Sequence, residues 1–424
     1  MSTNTNDASS TVSRRRFLAA LAAGVLGGGL ADAGFGATAQ HEVVPLVAQP
    51  GGLPPAQHAW AATLARDGHD NPIAPRFDRL LFFDVPRRPG ENDVRRLESA
   101  LRTLERLYPW GPQGLLFTAG WGPHYFRNVL GVASPVPEPT ELSEFELPSF
   151  DHYDLCLHLA CDDEQRLADV ELALVHGRPL PGAGAVGLAP SLRWRETRTG
   201  FVGTGLPAAH QDVNGIPAGK PVSAAAPLFM GFKSGFKKNQ ATETAVTIPN
   251  GPFAGGTTMH VSYMRLRLGS WYDSLNEEER VARMYAPEVS PAEVARFTDD
   301  APSQPGKYAQ AASRYGVVGH AQTSARARRN GSPRIIRRDF NTVDGGLAGL
   351  HFVAIQRTIE DFVVTRNAMN AANASFLNPA ISDTVNNGIN EFIFVLKRAN
   401  YILPPRALRS YPLAAGRSAA LGHA

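Results

Sequence analysis

Cysteine is nearly absent from this chain. Its 424 residues include two, Cys156 and Cys161, which lie five positions apart on a predicted strand. Residues at that spacing point to opposite faces of a strand and sit roughly 16 Å apart, too far for a bond between them. The sequence therefore excludes a disulfide framework, and a metal site built on cysteine is not expected.

The chain also has no large excess of positive or negative charge, since its formal net charge is only +3. A nucleic-acid partner usually goes with a strong basic excess, so we expect none. The twelve histidines include no pair at i, i+4 spacing, and no glycine-rich phosphate loop is present. Long apolar runs are missing too. The one candidate, near the N-terminus, is shorter than the about 20 residues that a membrane helix needs.

The N-terminus has the features of an export signal. Residues 14–16 are arginines, Phe17 and Leu18 follow, and a stretch rich in glycine and alanine extends over 19–30. The Ala-Thr-Ala sequence at 37–39 is a small-x-small cleavage site. Consecutive arginines before Phe-Leu predict the twin-arginine route. We therefore expect a periplasmic or extracellular protein with no stable membrane span after cleavage; an uncleaved anchor is the alternative.

Hydrophobic periodicity predicts alternating strands and helices over most of the remaining chain. Ser274 and Glu277 are expected to form a capping box, and Gly177 to cap another helix. Residues 287–313 and those after Pro405 are expected to be loops. Strands are predicted at 80–85, 114–122, 155–160, 257–268 and 350–355, and helices at 94–108, 162–176, 275–285 and 359–369.

These elements predict an α+β fold. Two β-rich halves, each with helices packed on an antiparallel sheet, indicate a duplication of ferredoxin-like units. The expected organisation is a twin-arginine signal peptide at 1–39, an N-terminal arm at 40–75, a first ferredoxin-like domain at 76–228, a second at 229–405 and a C-terminal tail at 406–424.

The segment 326–338, RARRNGSPRIIRR, is strongly basic. One interpretation is a solvated loop. The other is a strand edge that enters a buried anionic pocket, because Ile335 and Ile336 lead directly into Arg337. His320 lies upstream of this segment. A lone histidine is more often structural than a ligand, and its spacing to Arg337 is what makes His320 a candidate.

A second unusual segment, 231–239, reads GFKSGFKKN and has Ser234 as its single hydroxyl residue. The nucleophile elbow of serine hydrolases has the pattern Gly-x-Ser-x-Gly. This chain has Gly-x-x-Ser-Gly, which places the glycines wrongly for that turn. A serine hydrolase is therefore not the preferred interpretation.

Four stretches in order carry a resemblance that covers residues 79–369. They are PQGLLFTAGWGPHYFRNVLG, HYDLCLHLACDDEQRLADVELAL, FAGGTTMHVSYMRLRLGSWYDSLNEEERVARMYAPE and GLHFVAIQRTIEDFVVTRNAM. Together they resemble the dye-decolourising (DyP-type) peroxidases, as a divergent member. The resemblance implies the duplicated ferredoxin-like, dimeric α/β barrel of that family, haem b as cofactor, hydrogen peroxide and an organic reductant as substrates, and self-association into a homo-oligomer.

The resemblance also implies roles for single residues. His320 occupies the place of the family's axial haem ligand, whose imidazole nitrogen binds the iron. Arg337 fits the distal arginine, whose charge assists cleavage of the peroxide O–O bond. Arg326 is expected to reach a haem propionate, although this chain has Ala-Arg-Ala where the family has Asn-Pro-Arg.

The distal loop departs from the family pattern at one position. The family has Gly-x-x-Asp-Gly, so Gly231 and Gly235 match while Ser234 stands in place of the aspartate. Serine does not titrate near neutral pH and would need a bridging water to assist proton transfer. Three interpretations follow: a weakened peroxidase, a protein that binds haem or handles iron without turnover, and a DyP-like fold that has lost haem.

Overall fold

Strands and helices alternate through the chain as the periodicity predicts. The computed structural model describes residues 52–67, 71–232, 240–294 and 307–414, all within the unit Val44–Ala424. Its strands are β1 Phe77–Asp84, β2 Leu116–Trp121, β3 Ser149–Phe150, β4 Leu155–Cys161, β5 Arg193–Phe201, β6 Thr257–Leu266, β7 Ile335–Arg337, β8 Phe340–Thr342, β9 Gly349–Gln356 and β10 Ile393–Leu403.

The helices lie mainly outside the sheet. They are α1 Glu91–Leu107, α2 Glu164–His176, α3 Leu206–Ala209, α4 Glu243–Val246, α5 Leu268–Asp273, α6 Glu277–Met284, α7 Pro291–Val294, α8 Tyr308–Tyr315, α9 His320–Ala325, α10 Ile359–Asn370 and α11 Ala374–Leu377, with a π-helix at Tyr125–Leu130 and short 3-10 turns at Ala61–Thr63, Asp344–Gly346, Asn390–Phe392 and Arg406–Leu408. Within the described ranges, none of the helices combines the length and apolarity needed to cross a membrane.

Eight strands close into an antiparallel barrel. Their order is β2-β4-β1-β5-β8-β9-β6-β10, and Ile402 of β10 pairs with Trp121 of β2 to complete the ring. β7 and β8 pair with successive stretches of β9, so they behave as one strand interrupted at 338–339. β3 adds to β10 in parallel. Closure removes the exposed sheet edges that would otherwise be open to unwanted pairing.

The two halves of the barrel have the same topology. In the first half the sheet order is β5-β1-β4-β2, and in the second it is β10-β6-β9-β8. Numbered within each half, both are 4-1-3-2, the order of a ferredoxin-like unit. The predicted α+β duplication is confirmed. Most of the helices of the second half, including α9, lie in the long connection between β6 and β8.

The central strands β2 and β4 are buried on both faces. All seven residues of β4 are buried. Cys156 faces an inner cluster shared with Leu80 and Tyr401, whereas Leu157 faces an outer cluster under α1 and α2 that includes Leu97. Both Cys156 and Cys161 are free thiols. A strand inside a helix-covered barrel has no solvent face, so both faces are apolar.

Two local predictions are wrong. The capping box of α6 is formed by Asn276 and Glu279, because Ser274 already serves as the C-cap of α5. Residues 287–313 do not form a simple loop, since α7 and α8 lie within the described part of that segment. In α8, Tyr308, Ala311 and Ala312 are buried, and this i, i+3, i+4 stripe is short enough to be overlooked in the sequence.

Candidate functional site

A cavity of about 190 Å³ lies between the outer face of the second half-sheet and helices α9 and α10. Strands β6, β9 and β10 line it from the sheet side, and the segment 228–232 lines it from a third side. Its walls are largely apolar, with polar and charged groups from a few elements. The apolar lining includes Phe232, Met264, Leu350, Phe352, Met369 and Ile393.

His320 is the first residue of α9 and lines the cavity. Gly319 caps this helix, and a Cβ atom at Gly319 would lie 1.8 Å from the carbonyl oxygen of Tyr285. On its other side, the Cα of Gly388 approaches so closely that a Cβ there would lie 3.1 Å from the Cα of His320. Two glycine contacts therefore fix where His320 enters the cavity.

The His320 imidazole is neutral. Burial, together with the charges of Arg337 and Arg366, lowers its pKa to about 3. Within the described residues, neither ring nitrogen has a hydrogen-bond partner. A neutral imidazole with an available lone pair is the form that binds a metal ion.

The β7–β8 segment places every second side chain against the cavity. Ile335, Arg337, Asp339 and Asn341 all line it, as the two-residue period of extended chain requires. The backbone N–H of Arg337 donates to Oε1 of Gln240 at 2.6 Å. Sequence reasoning selected Arg337 and missed Asp339, although counting two residues along the same strand would have found it.

Arg337 and Asp339 influence each other electrostatically. Burial lowers the pKa of Arg337, and the Asp339 charge opposes that shift. Burial raises the pKa of Asp339, and the Arg337 charge opposes it. Both residues retain some accessible surface because they face the cavity. The cavity thus holds a cation next to a carboxylate.

Arg338 faces the opposite side, toward the N-terminal arm. Its guanidinium stacks on Trp60 at 3.5 Å and donates to the carbonyl oxygen of His58. Burial lowers the pKa of Arg338 to about 9, partly offset by Glu243 and Asp78. A strand is present at Ile335–Arg337, and of the two adjacent arginines Arg337 and Arg338 only Arg337 lines the cavity.

The segment 231–239, which was introduced above for its glycines and Ser234, begins beside the cavity. Asn341 accepts from the N–H of Phe229 at 2.8 Å, and Trp271 Nε1 donates to the carbonyl of Met230 at 3.0 Å. Gly231 has φ 91°, a left-handed conformation that favours glycine. The predicted residues Ser234 and Gly235 lie outside the described residues.

Arg326 does not reach the cavity. It is exposed, stacks on Tyr308 at 4.3 Å and donates to Asn373 at 3.4 Å. The basic segment instead contributes Arg328 and Arg334 to the lining. α9 ends at Ala325, and Arg326 lies outside the lining, whereas Ala327 and Arg328 belong to it.

A buried ionic cluster forms the far wall. Glu146 accepts from Arg366 at 2.6 Å and from Arg398 at 2.7 Å, and all three residues are at most 5% exposed. Arg398 faces the cavity because a bulge between Val395 and Lys397 shifts the parity of β10. One carboxylate for two guanidiniums leaves this wall positive.

Comparison with known proteins identifies a family and a set of similar folds. Residues 75–405 match the model of a family described as "Family of unknown function (DUF7405)". No curated protein matches the chain significantly.

Among solved structures, the chain is similar to a DyP-type peroxidase from Cellulomonas bogoriensis, with 20% identity, a TM-score of 0.56 and coverage of 82% of this chain and 94% of that one. A putative DyP-type peroxidase from Shewanella oneidensis has 15% identity, a TM-score of 0.52 and coverage of 79% and 94%. A variant of Rhodococcus jostii DypB in complex with heme has 12% identity, a TM-score of 0.55 and coverage of 86% and 99%. At these identities the likeness concerns the fold.

Proposed function

The chain belongs to the DUF7405 family, and from that premise we propose that it is an exported haem protein that uses hydrogen peroxide to oxidise an organic reductant. Its fold is that of the DyP-type peroxidases, and one solved relative holds heme. The single observation that carries the proposal is His320, a neutral imidazole with available ring nitrogens that faces a largely apolar cavity. The signal peptide predicted at residues 1–39 supports export.

The lining fits a haem group chemically. Apolar side chains such as Phe352 and Met369 suit the macrocycle, and His320 would bind the iron. Haem also carries carboxylates. We propose that Arg328 and Arg334 bind them, because these two arginines line the cavity and Arg326 does not. Haem, when bound, supplies the iron that takes peroxide and the electrons that split its O–O bond.

Side chains of this protein would bind the peroxide, polarise it and exclude water. Arg337 is positioned to hold and polarise the peroxide, since a cation stabilises the charge that develops on the leaving oxygen. The apolar lining excludes bulk water from the reacting atoms, which strengthens that interaction. The reductant is a small organic molecule such as a phenol or dye. Self-association into a homo-oligomer belongs to the same proposal, on the fold likeness alone.

The first test is the visible spectrum of the protein purified from haem-supplied cells, beside His320→Ala. We expect a strong Soret band in the wild type that is shifted or lost in the variant, because the axial ligand is removed. His152→Ala is the matched control, since the His152 side chain is 59% exposed. Peroxide-dependent oxidation of a phenol then measures turnover.

Each other outcome rejects a defined part of the proposal. A wild-type spectrum without a Soret band would reject haem and peroxidase together. A Soret band that His320→Ala leaves unchanged would reject the ligand. Haem without phenol oxidation would reject turnover, and would favour the haem-binding or iron-handling role that the serine at position 234 also suggests.

A further inference from the structure

The segment 231–239 contains no carboxylate residue, whereas the cavity lining contains one, Asp339. We propose that Asp339 moves the proton between the two oxygens of bound peroxide, the task that a distal-loop aspartate would perform if one stood at position 234. This inference rests on the proposed function and assigns a catalytic residue to the same site. It does not depend on the placement of Ser234.

Asp339 lines the same cavity as Arg337 and His320. Asp339 lies two residues after Arg337 on one extended segment, so both side chains point to the same face. Ile335 and Asn341 continue this row on either side, and all four line the cavity. The same cavity contains His320, which approaches from α9. A ligand held by His320 is therefore enclosed in a space that Asp339 also faces.

Among the lining residues that the structure describes, Asp339 is the only Asp or Glu. Glu146 and Asp361 are nearby but accept hydrogen bonds from arginines: Arg366 and Arg398 donate to Glu146, and Arg329 and Arg334 donate to Asp361.

Neither Arg337 nor His320 is suited to carry the proton. A guanidinium is protonated at any ordinary pH and has no acceptor site, so Arg337 cannot take a proton from peroxide. His320 would be engaged with the iron. A carboxylate both accepts and donates a proton, and burial brings its pKa upward from 3.8, which makes Asp339 a better base than an exposed aspartate.

The proposed step balances. The Asp339 carboxylate accepts the proton of one peroxide oxygen and delivers it to the other oxygen. That second oxygen then leaves as water when the O–O bond breaks, and Asp339 is ionised again. Haem, if bound at His320, would supply the two electrons for the cleavage, and the organic reductant would return two electrons and two protons, so that both peroxide oxygens end as water. Arg337 stabilises the negative charge during the transfer.

The test uses Asp339→Asn in the full chain, because asparagine keeps the shape and removes the base. We expect an unchanged Soret intensity and peroxide turnover lower by about 100-fold, the lower end of general acid–base contributions. Cyanide binding to the ferric protein gives a readout without turnover. Hydrogen cyanide must lose a proton as it binds, so its association rate should fall by a similar factor.

One further variant sharpens the comparison. Asp212→Asn is the matched control, since the Asp212 side chain is 72% exposed and pairs only with Lys220 among the contacts described. We expect wild-type turnover and cyanide association from it.

The outcomes separate this inference from the proposed function. Wild-type cyanide and turnover rates in an Asp339→Asn protein that retains haem would overturn the role of Asp339 and leave the peroxidase standing. A wild-type protein without haem would overturn both.

If Asp339→Asn does not retain haem, the proposal is tested by the pH dependence of the cyanide association rate of the wild-type protein. Cyanide association should slow on acidification through the pKa of Asp339, and a rate independent of pH would reject the proposal. The titratable and charged groups near Asp339 are His320, Asp78, Arg334, Arg337, Arg366 and Arg398. His320 has a pKa of about 3, and guanidiniums are protonated at any ordinary pH. Burial raises the pKa of Asp78 as it does that of Asp339, so Asp78→Asn is measured beside the wild type; the slowing on acidification should persist in that variant, and its loss there would reject the role of Asp339.

Discussion

Glu146 sets the electrostatics of the cavity wall through two contacts. Burial opposes its ionisation, but the guanidiniums of Arg366 and Arg398 outweigh that effect and hold its pKa below the ordinary value of 4.5. The Nε atom of Arg398 is buried and has no hydrogen-bond partner within the described residues. Any loss of the Glu146 charge therefore leaves two buried cations without compensation.

We predict that Glu146→Gln lowers the free energy of unfolding by about 3 kcal/mol or more, the cost of removing one partner from a buried ion pair. Chemical denaturation measures the change. Glu138→Gln is the control, because Glu138 is 36% exposed and its pair with Arg127 should contribute no more than about 1 kcal/mol. Equal stability of the two variants would contradict the prediction.

The same residue predicts a pH dependence. A carboxylate with a lowered folded-state pKa contributes stability above its unfolded value, here near 4.5, and this stability is lost as the pH falls through the folded-state value. Wild-type stability should therefore decline on acidification below about pH 4.5 more steeply than that of Glu146→Gln. Parallel curves would count against the ionised state of Glu146.

At the scale of elements, helix α9 is positioned by backbone contact. Gly319 packs against the Tyr285 carbonyl at the end of α6, and the N–H of Gly319 donates to Gln322 Oε1 at 3.0 Å. The backbone of Val318 pairs with Asn386 and Gly388. Small changes at the start of α9 therefore shift His320, its first residue.

We predict that Gly319→Ala displaces α9 and strongly reduces haem binding, because its Cβ would meet a backbone oxygen that cannot move aside. Overpacking of this kind costs about 1–3 kcal/mol of stability. Gly269→Ala is the control, since nothing lies within 4 Å of a Cβ at that position. The Soret absorbance per protein measures the effect, and wild-type absorbance in Gly319→Ala would refute it.

At the scale of the whole molecule, residues 406–414, which follow β10, pack against the first half of the barrel and stabilise it. Arg409 is 1% exposed and pairs with Glu98 and Glu105 of α1. Its carbonyl accepts from Trp121 Nε1 at 2.7 Å, and Tyr411 donates to the carbonyl of Ser191 at 2.8 Å. The described part of the predicted tail is thus integral to the core.

We predict that ending the chain after Pro405 lowers the melting temperature by about 3 °C or more. The truncation leaves the buried carboxylates of Glu98 and Glu105 without their arginine partners, at a cost of about 3 kcal/mol or more, and a chain of this size loses about 1 °C per kcal/mol. Ending the chain after Ala414 keeps all of these contacts and serves as the control. Equal melting temperatures would show that the segment is dispensable.

The sequence by itself determined the elements with a clear period, such as β1, α1, α2 and α10, and the duplicated α+β plan. It also selected His320 and Arg337, which the structure brings to one cavity, although their roles stay predictions. Local periodicity is enough for these, because a helix or strand shows its buried face in the spacing of its apolar residues.

Only the tertiary structure decided which charged side chains lie together at the cavity and which of them form ion pairs. β5 carries RWRETRTGF, too polar to be recognised as a strand, and it forms because β1 pairs with it throughout. Arg326 lies outside the cavity, while Asp339 and the Arg398–Glu146 cluster lie at it. These partners are distant in sequence, up to 252 positions for Arg398 and Glu146. Local propensity cannot encode such contacts; closure of the barrel creates them.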